Sequence, residues 1–429
     1  MRRHPAPFST GGQHIMYEKQ TLPNGVRIVY EHMPHVRSAA IGVWVGVGSR
    51  YESPCEAGSA HFIEHMLFKG TEKRSAFEIS DSTERLGSQI NAYTAKENTC
   101  YYVKSTKENF RASAEILSDL FFNSVFDDEE SAREKGVIQE EIHMCDDAPE
   151  DLCFDLLAES YFGKSGLGRT VLGTSENVDR FTKEDILSYM DKYYVPENVV
   201  VSIAGNITFS EAEKICDEFF ASQFKRTAPP APHFEQKNVY TGSLVKVKDI
   251  EQAHIGLCMP SYRLGSKMSV AVRILNTVFG GGMSSRLFQN IREKYGLAYS
   301  VYSYVSQYKH LGTFEIYAGV NPSKRDMALE CIMDEVKRLK ETGITEAEFQ
   351  RGKEQVKASF IMAQESTASQ MLVYGKQLLM LDELFDVNQK IKELDACRME
   401  DIEVAIDESL HTEKMAAATV GKLRKKLKI

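Results

Sequence analysis

The pentapeptide HFIEH, residues 61–65, lies within the run GSAHFIEHMLFKGT and is the feature that most constrains this chain. Residues at positions i, i+3 and i+4 of a helix share one face, with Cβ atoms about 5–6 Å apart. A helix here would direct two imidazoles and one carboxylate to the same side. Imidazole is a common zinc ligand, and a catalytic zinc site needs three protein ligands and an open position for water. The motif therefore predicts part of a catalytic metal site.

The order of residues in the motif assigns a role to each. We predict that His61 and His65 are metal ligands. Glu64 is the predicted general base, because it lies one residue before the second histidine and can reach the water that the metal activates. The pattern is the H-E-x-x-H zinc motif in reverse order. The alternative is a surface helix with two solvated histidines.

Length and composition indicate a soluble protein with more than one domain. The 429 residues exceed what one hydrophobic core usually organises. A net charge of -9 disfavours nucleic-acid binding, since phosphate contacts need a basic face. No run approaches the roughly 18 apolar residues of a membrane helix, and the eight scattered cysteines indicate reduced thiols. We expect a soluble, cytoplasmic protein of bacterial type, with no nucleic-acid or membrane partner.

A Pro-rich stretch divides the chain into two similar halves. We predict a disordered extension (1–16) that is native, a tag or a targeting segment, a catalytic metal-binding domain (17–224), a linker (225–236) and a related domain (237–429). Both halves run through strand, helix, hairpin and a long helix pair to a final apolar strand, VVVSIAGN or MAAATVGK. This order predicts a duplication and an α+β fold. Each of the two homologous domains would be an antiparallel or mixed sheet with helices packed on one face.

Aligning the two halves shows that the metal motif occurs only once. At an offset of 211 the run SAHFIEHMLFKGT falls on VAVRILNTVFGGG. The three chemically active positions of the motif then correspond to Val272, Leu275 and Asn276. We infer that the second half keeps the helix but lacks metal ligands.

The third ligand is expected to be a carboxylate in the helical segment DDEESAREKGVIQEEIHM. Glu134 and Glu141 are seven residues apart and share a helix face, whereas Glu140 points about 100° away. At an offset of 218 Glu141 meets Ser359, so this candidate ligand is also absent from the second half. We predict Glu141 as the third ligand and Glu134 as its outer-shell neighbour. The alternative is an acidic, solvated helix.

These segments together resemble the pitrilysin/insulinase family of metallopeptidases, the inverzincins. The resemblance covers nearly everything from Tyr17 onward and is greatest to the short two-domain type, similar to the catalytic subunit of the mitochondrial processing peptidase. Glu141 lies 76 residues after His65, where the family places its third ligand, and INAYTAKE, GLGRTVLGT and VVVSIAGN are similar to family segments. The resemblance implies one Zn²⁺ per chain and hydrolysis of peptide bonds.

The resemblance also implies how substrate and partner are bound. In the family an arginine and a tyrosine seven residues apart assist from the half without metal, and NIREKYGLAYSV supplies Arg292 and Tyr299. Long members enclose a chamber with two such units, so this chain is expected to pair with a second copy or with a relative. We predict a homodimer with composite active sites. INAYTA resembles the family's edge strand, to which an extended peptide can add. The substrate-binding residues implied are Asn91, Ala92, Tyr93 and Thr94.

The sequence thus predicts a zinc-dependent endopeptidase that hydrolyses peptides or unfolded protein segments inside a chamber. The main alternative is a non-catalytic scaffold or peptide-binding subunit of the same fold. A structural metal site is disfavoured, because a closed four-ligand site would have no use for Glu64 as a free base. Without the resemblance, Arg292 and Tyr299 could equally be a solvated arginine and a core tyrosine.

Overall fold

The computed structural model describes residues 17–224 and 238–422, together with residue 427. The predicted extension (1–16) and the predicted linker (225–236) lie outside the described residues. The domain boundaries placed there therefore stay predictions.

The first half forms a six-stranded sheet with helices packed against it. The strand order is β1-β2-β6-β3-β5-β4, so that β4 lies at one edge. β2 and β6 are parallel, and the other neighbouring strands are antiparallel. The strands are β1 (Tyr17–Thr21), β2 (Arg27–His32), β3 (Ser38–Val45), β4 (Gln89–Thr94), β5 (Thr99–Thr106) and β6 (Val199–Gly205). The α-helices are α1 (Ser59–Leu67), α2 (Ala76–Arg85), α3 (Phe110–Asn123), α4 (Asp128–Asp147), α5 (Pro149–Phe162), α6 (Ser175–Arg180), α7 (Lys183–Tyr193) and α8 (Phe209–Cys216).

The second half repeats this topology with five strands in the order β7-β11-β8-β10-β9. Its one parallel pair is β7 with β11, which corresponds to β2 with β6 in the first sheet, and β9 lies at the edge that corresponds to β4. The strands are β7 (Gly242–Val247), β8 (Ala253–Ser261), β9 (Ala298–Gln307), β10 (Gly312–Val320) and β11 (Ala416–Gly421). The α-helices are α9 (Ser269–Phe279), α10 (Arg325–Thr342), α11 (Glu346–Ala363), α12 (Thr367–Leu381), α13 (Val387–Ala396) and α14 (Met399–Ser409). The predicted α+β class and the predicted repeat are confirmed.

Each half covers one face of its sheet with its own helices and receives one helix from the other half on the opposite face. α12 packs on the first sheet, where Tyr374 and Leu378 contact the buried ring of Trp44 and its neighbours. α5 packs on the second sheet through Cys153, Leu157 and other apolar residues. Strands β3 and β6 are buried almost throughout, which explains their nearly continuous apolar sequences. The exchange of α5 and α12 was not predicted from the sequence.

The helices and the cysteines agree with the composition of the chain. None of the helices within the described ranges is both long and apolar enough to span a bilayer. All eight cysteines lie in the described part of the chain and are free thiols, as expected.

The contact between α12 and the first sheet depends on a glycine. A Cβ atom added at Gly375 would lie 2.0 Å from Nε1 of Trp44 and 2.6 Å from Oγ of Ser202. The indole N–H donates a hydrogen bond to that hydroxyl at 2.9 Å in the buried core. The helix can therefore approach the sheet this closely only without a side chain at this position.

We predict that Gly375→Ala lowers the free energy of unfolding by about 1–3 kcal/mol, because the added methyl group overpacks a buried contact. Gly136→Ala is the matched control, since Gly136 also lies within a helix but a Cβ there meets nothing within 4 Å. The control should be neutral or slightly stabilising through helix propensity. Urea unfolding measures both variants. Equal midpoints for the two would show that α12 does not need the close approach.

Candidate metal centre and active site

The start of helix α1 is fixed by a buried carboxylate. Glu52 accepts hydrogen bonds from the backbone N–H groups of Gly58 and Ala60, both at 2.8 Å. Gly58 has φ of 99°, and a Cβ there would lie 2.7 Å from the carbonyl oxygen of Leu172. Burial raises the pKa of Glu52 to about 7, although the two N–H bonds act to lower it. The first turn of α1, which contains His61, therefore has a defined position.

The two histidines of the motif lie side by side on α1, with ring centroids 4.5 Å apart. His61 is 7% exposed, and burial, with a smaller effect of His65, lowers its pKa to about 4. Its imidazole is therefore neutral at physiological pH, which is the form that ligates metals. Its Nδ1 atom has no hydrogen-bond partner among the described residues.

Helix α4 brings Glu141 to the same point. Oε2 of Glu141 lies 3.6 Å from Nε2 of His61 and 3.4 Å from Nε2 of His65. Zinc bonds of about 2.0–2.2 Å separate tetrahedral ligand atoms by about 3.3–3.6 Å, so Glu141 lies at ligand spacing from each histidine. All three candidate ligand atoms lie within 4.8 Å of one another. Oε2 is also buried and has no hydrogen-bond partner within the described residues. The neighbouring Glu140 points outward, with 85% of its side chain exposed.

Glu134 is hydrogen-bonded to His65 through the ring nitrogen that does not face Glu141. Its Oε1 accepts a hydrogen bond from Nδ1 of His65 at 2.8 Å, and its Oε2 lies 2.5 Å from Nζ of Lys69. Burial alone would raise the pKa of Glu134, but these two partners lower it below the usual range. Burial lowers the pKa of His65, and the bond to Glu134 with nearby carboxylates raises it by more. The proton on Nδ1 is thus fixed, and Nε2 is directed to Glu141.

Glu64 lies next to the three candidate ligands and does not belong to their cluster. Its Oε2 accepts a hydrogen bond from the hydroxyl of Thr94 at 2.5 Å. Burial raises the pKa of Glu64, while the bond from Thr94 acts to lower it. A buried carboxylate of this kind is suited to accept a proton from an adjacent water.

The edge strand β4 runs beside this centre, and its side chains alternate between two faces. Thr94 faces Glu64, whereas the ring of Tyr93 lies on the opposite face, 6.0 Å from the ring of Trp44. The N–H of Ala92 donates to the side-chain oxygen of Asn91 rather than to β5. In an antiparallel pair, Ala92 and Thr94 therefore direct their main-chain groups to the open edge, and Tyr93 does not.

Among the described residues, no hydrogen bond or ion pair joins the predicted pair from the second half to this centre. Tyr299 is on edge strand β9 and is 73% exposed, and Arg292 stacks over its ring at 5.2 Å. The guanidinium of Arg292 also lies over the ring of Phe288 and 3.7 Å from Oε1 of Glu293. The chain thus brings the two residues to each other but not to the metal cluster of the same chain.

Three supporting residues were not recognised from the sequence in these roles. Thr94 was predicted only to bind substrate, and Glu52 and Lys69 were not singled out. An acidic residue shortly before a helix is a signal for Glu52. Nothing in the local sequence shows that Lys69 pairs with Glu134, since the pair joins segments 65 residues apart.

Known proteins match this chain over almost its whole length. The family profile described as "Insulinase (Peptidase family M16)" matches residues 27–175, and that described as "Peptidase M16 inactive domain" matches residues 180–356. The "Uncharacterized zinc protease YmxG" of Bacillus subtilis is 42% identical over 406 residues, which cover 95% of this chain and 98% of the relative. An uncharacterized zinc protease of Streptomyces coelicolor is 37% identical, covering 95% and 90%.

Solved structures show the same fold. A protease from Helicobacter pylori superposes with a TM-score of 0.89 at 24% identity, covering 95% of this chain and 99% of that one. A peptidase M16 inactive domain from Pseudomonas fluorescens also has a TM-score of 0.89, at 18% identity, covering 97% and 100%. Together with the sequence matches, which span both halves, these findings establish that the chain belongs to the insulinase family of peptidases, peptidase family M16.

Proposed function

We propose that this protein is a zinc-dependent endopeptidase. The observation that carries the proposal is the spacing of His61, His65 and Glu141, whose atoms lie too far apart for good hydrogen bonds and at the separation of zinc ligands. The buried, unpartnered Oε2 of Glu141 fits the same ion. The relatives named zinc proteases support this assignment.

The chain's own residues supply the proton transfers. Zinc bound by the three ligands would lower the pKa of the attacking water and polarise the substrate carbonyl. Glu64 then takes the proton from that water and passes it to the leaving amine. Glu134 keeps the imidazole of His65 in the orientation that presents Nε2. One ion per chain suffices, since the described residues contain one such cluster.

An extended peptide is the proposed substrate, bound as an added strand on β4. The open edge of β4 offers main-chain groups of Ala92 and Thr94 beside Glu64. Main-chain pairing accepts many sequences, so unfolded segments are better substrates than folded proteins. The side chain of Asn91 would have to release the N–H of Ala92 before this donor can pair with a peptide.

The main alternative is a scaffold subunit without activity. The match of the second half to an "inactive domain" fits this reading for residues 180–356 only. The first half contains the ligand cluster and Glu64 within the match to the insulinase profile. A purely structural metal site is disfavoured, because Glu64 is held beside the ligands by Thr94 rather than joining them.

We further propose a homodimer in which Arg292 and Tyr299 serve the metal centre of the partner chain inside a closed chamber. Tyr299 is largely exposed and its hydroxyl is free to reach another chain, while Arg292 fixes its ring. Hydrogen-bond donors aimed at the oxygen that gains charge are often the largest catalytic term. The site would then be complete only across two chains.

Glu64→Gln is predicted to keep zinc and to lower peptide hydrolysis by at least about 100-fold, because an amide cannot accept the proton. Metal analysis and cleavage of an unstructured peptide, with and without chelator, measure both properties. Glu140→Gln is the matched control and should retain both, since its side chain points to solvent. Substantial turnover by the Glu64 variant would refute the base assignment.

Glu141→Gln should remove zinc at concentrations that saturate the wild type, because the buried ligand oxygen loses its charge. Glu134→Gln should weaken zinc binding or activity by about 10–100-fold, as expected for an outer partner of a ligand histidine. Titration with a competing chelator measures these affinities. If Glu141→Gln binds zinc as the wild type does, the ligand assignment is wrong.

Mixing Glu64→Gln protein with Tyr299→Phe protein tests the shared site. Exchange of subunits should restore activity in mixed dimers, with intact composite sites at about a quarter of the wild-type number. A mixture of Glu64→Gln with Glu141→Gln is the control and should stay silent, since both changes damage the metal half. If the first mixture also stays silent after subunit exchange, Tyr299 does not act in trans.

A further inference from the structure

Thr94 connects the edge strand of the first sheet to the predicted base. Its hydroxyl donates to Oε2 of Glu64 at 2.5 Å. Thr94 is the last residue of β4, and Glu64 is on helix α1. One hydrogen bond therefore joins the end of the strand to the predicted base on the helix.

A hydrogen bond from a rigid residue restricts the rotation of a carboxylate. Thr94 is β-branched and lies in a paired strand, opposite Thr99, so its own χ1 has little freedom. A general base must lie within about 2.6–3.2 Å of the proton that it takes. An error of about 1 Å in such a group is enough to lose most of its effect. The contact from Thr94 thus controls the orientation of the Glu64 carboxylate, on which proton transfer depends.

The same residue also belongs to the edge that would receive the peptide. Ala92 and Thr94 direct their main-chain groups to the open side of β4, as the bond from Ala92 to Asn91 indicates. A peptide that adds to this edge fixes the end of the strand. We propose, on the basis of the proposed peptidase function, that Thr94 is a positioning residue that orients Glu64 for proton transfer and couples this orientation to substrate binding at β4.

The second half offers an internal comparison. There Ser303 of edge strand β9 donates through Oγ to the side chain of Asn276 on α9 at 2.8 Å, and its N–H bonds to the carbonyl of Gly280 at 3.2 Å. A bond from the edge strand to the helix is therefore a feature of the fold in both halves. Only in the first half does it end on a carboxylate beside the candidate ligands. A test must thus separate a purely structural role from orientation of the base.

Thr94→Val removes the hydroxyl but keeps the branched shape. We expect kcat on an unstructured peptide to fall about 10–100-fold, the range for residues that orient a metal-site group, with zinc content unchanged and with little change in KM. Thr94→Ser restores the hydroxyl and should return kcat close to the wild-type value. A wild-type kcat for Thr94→Val, or a Thr94→Ser variant as slow as Thr94→Val, would overturn the proposal.

Thr99→Val is the matched control, since Thr99 faces Thr94 across the hairpin and donates instead to the carbonyl of Val47 at 3.0 Å. It should lower the unfolding midpoint without changing kcat. An equal loss of kcat in Thr99→Val would show that the hairpin merely needs intact hydroxyls, which also overturns the proposal.

A readout without catalysis uses the metal-free protein. If Thr94 and Glu64 bind each other, the shifts in urea midpoint caused by Thr94→Val and Glu64→Ala should not add in the double variant. The shifts of Thr99→Val and Glu64→Ala should add, because these residues share no partner. Additive shifts in the first pair contradict the contact. If the zinc-loaded wild type cleaves no peptide, the proposed function itself fails, whereas a failure confined to the variants concerns Thr94 alone.

Discussion

The exchange of helices α5 and α12 between the halves is the constraint on which the metal centre depends. Helix α4, which carries Glu134 and Glu141, ends at Asp147, and α5 begins at Pro149 after a single intervening residue. Because α5 is buried against the second sheet, the far end of the ligand helix is held by the second half of the chain. All candidate ligands belong to the first half, but the position of the helix that carries Glu141 depends on both halves of the chain.

Three carboxylates meet at this centre, and their partners separate their roles. Glu134 is neutralised by Lys69 and by the N–H of His65, so it supports a ligand. Glu64 is held by a neutral hydroxyl and its pKa is raised by burial, so it is suited to accept a proton. Glu141 presents a buried oxygen with no hydrogen-bond partner in the described structure, so it remains for the ion. The three residues are all glutamates, so their different roles as ligand, base and supporting residue follow from their different surroundings.

The sequence predicted what depends on local spacing and on the order of segments. The placement of His61 and His65 on one helix, the shared face of Glu134 and Glu141, and the repeated topology all follow from periodicity and internal similarity. The exchanged helices could not be predicted, because the apolar runs of β3 and β6 require a cover on both faces without identifying it. The bond from Thr94 to Glu64 was missed for a similar reason, since it joins a strand and a helix 30 residues apart.

The two halves also differ in whether the buried polar atoms around their equivalent helices have hydrogen-bond partners. In α9 the positions of His61 and Glu64 hold Val272 and Leu275, both completely buried, and the position of His65 holds Asn276, which is bonded to Ser303. In the first half, the region around α1 and α4 leaves His61 Nδ1 and Glu141 Oε2 buried without hydrogen-bond partners among the described residues. Each such atom costs about 1–3 kcal/mol. The second half satisfies the equivalent positions with apolar packing and one hydrogen bond, so the unpartnered Oε2 of Glu141, at ligand spacing from both imidazoles, fits a site that binds an ion.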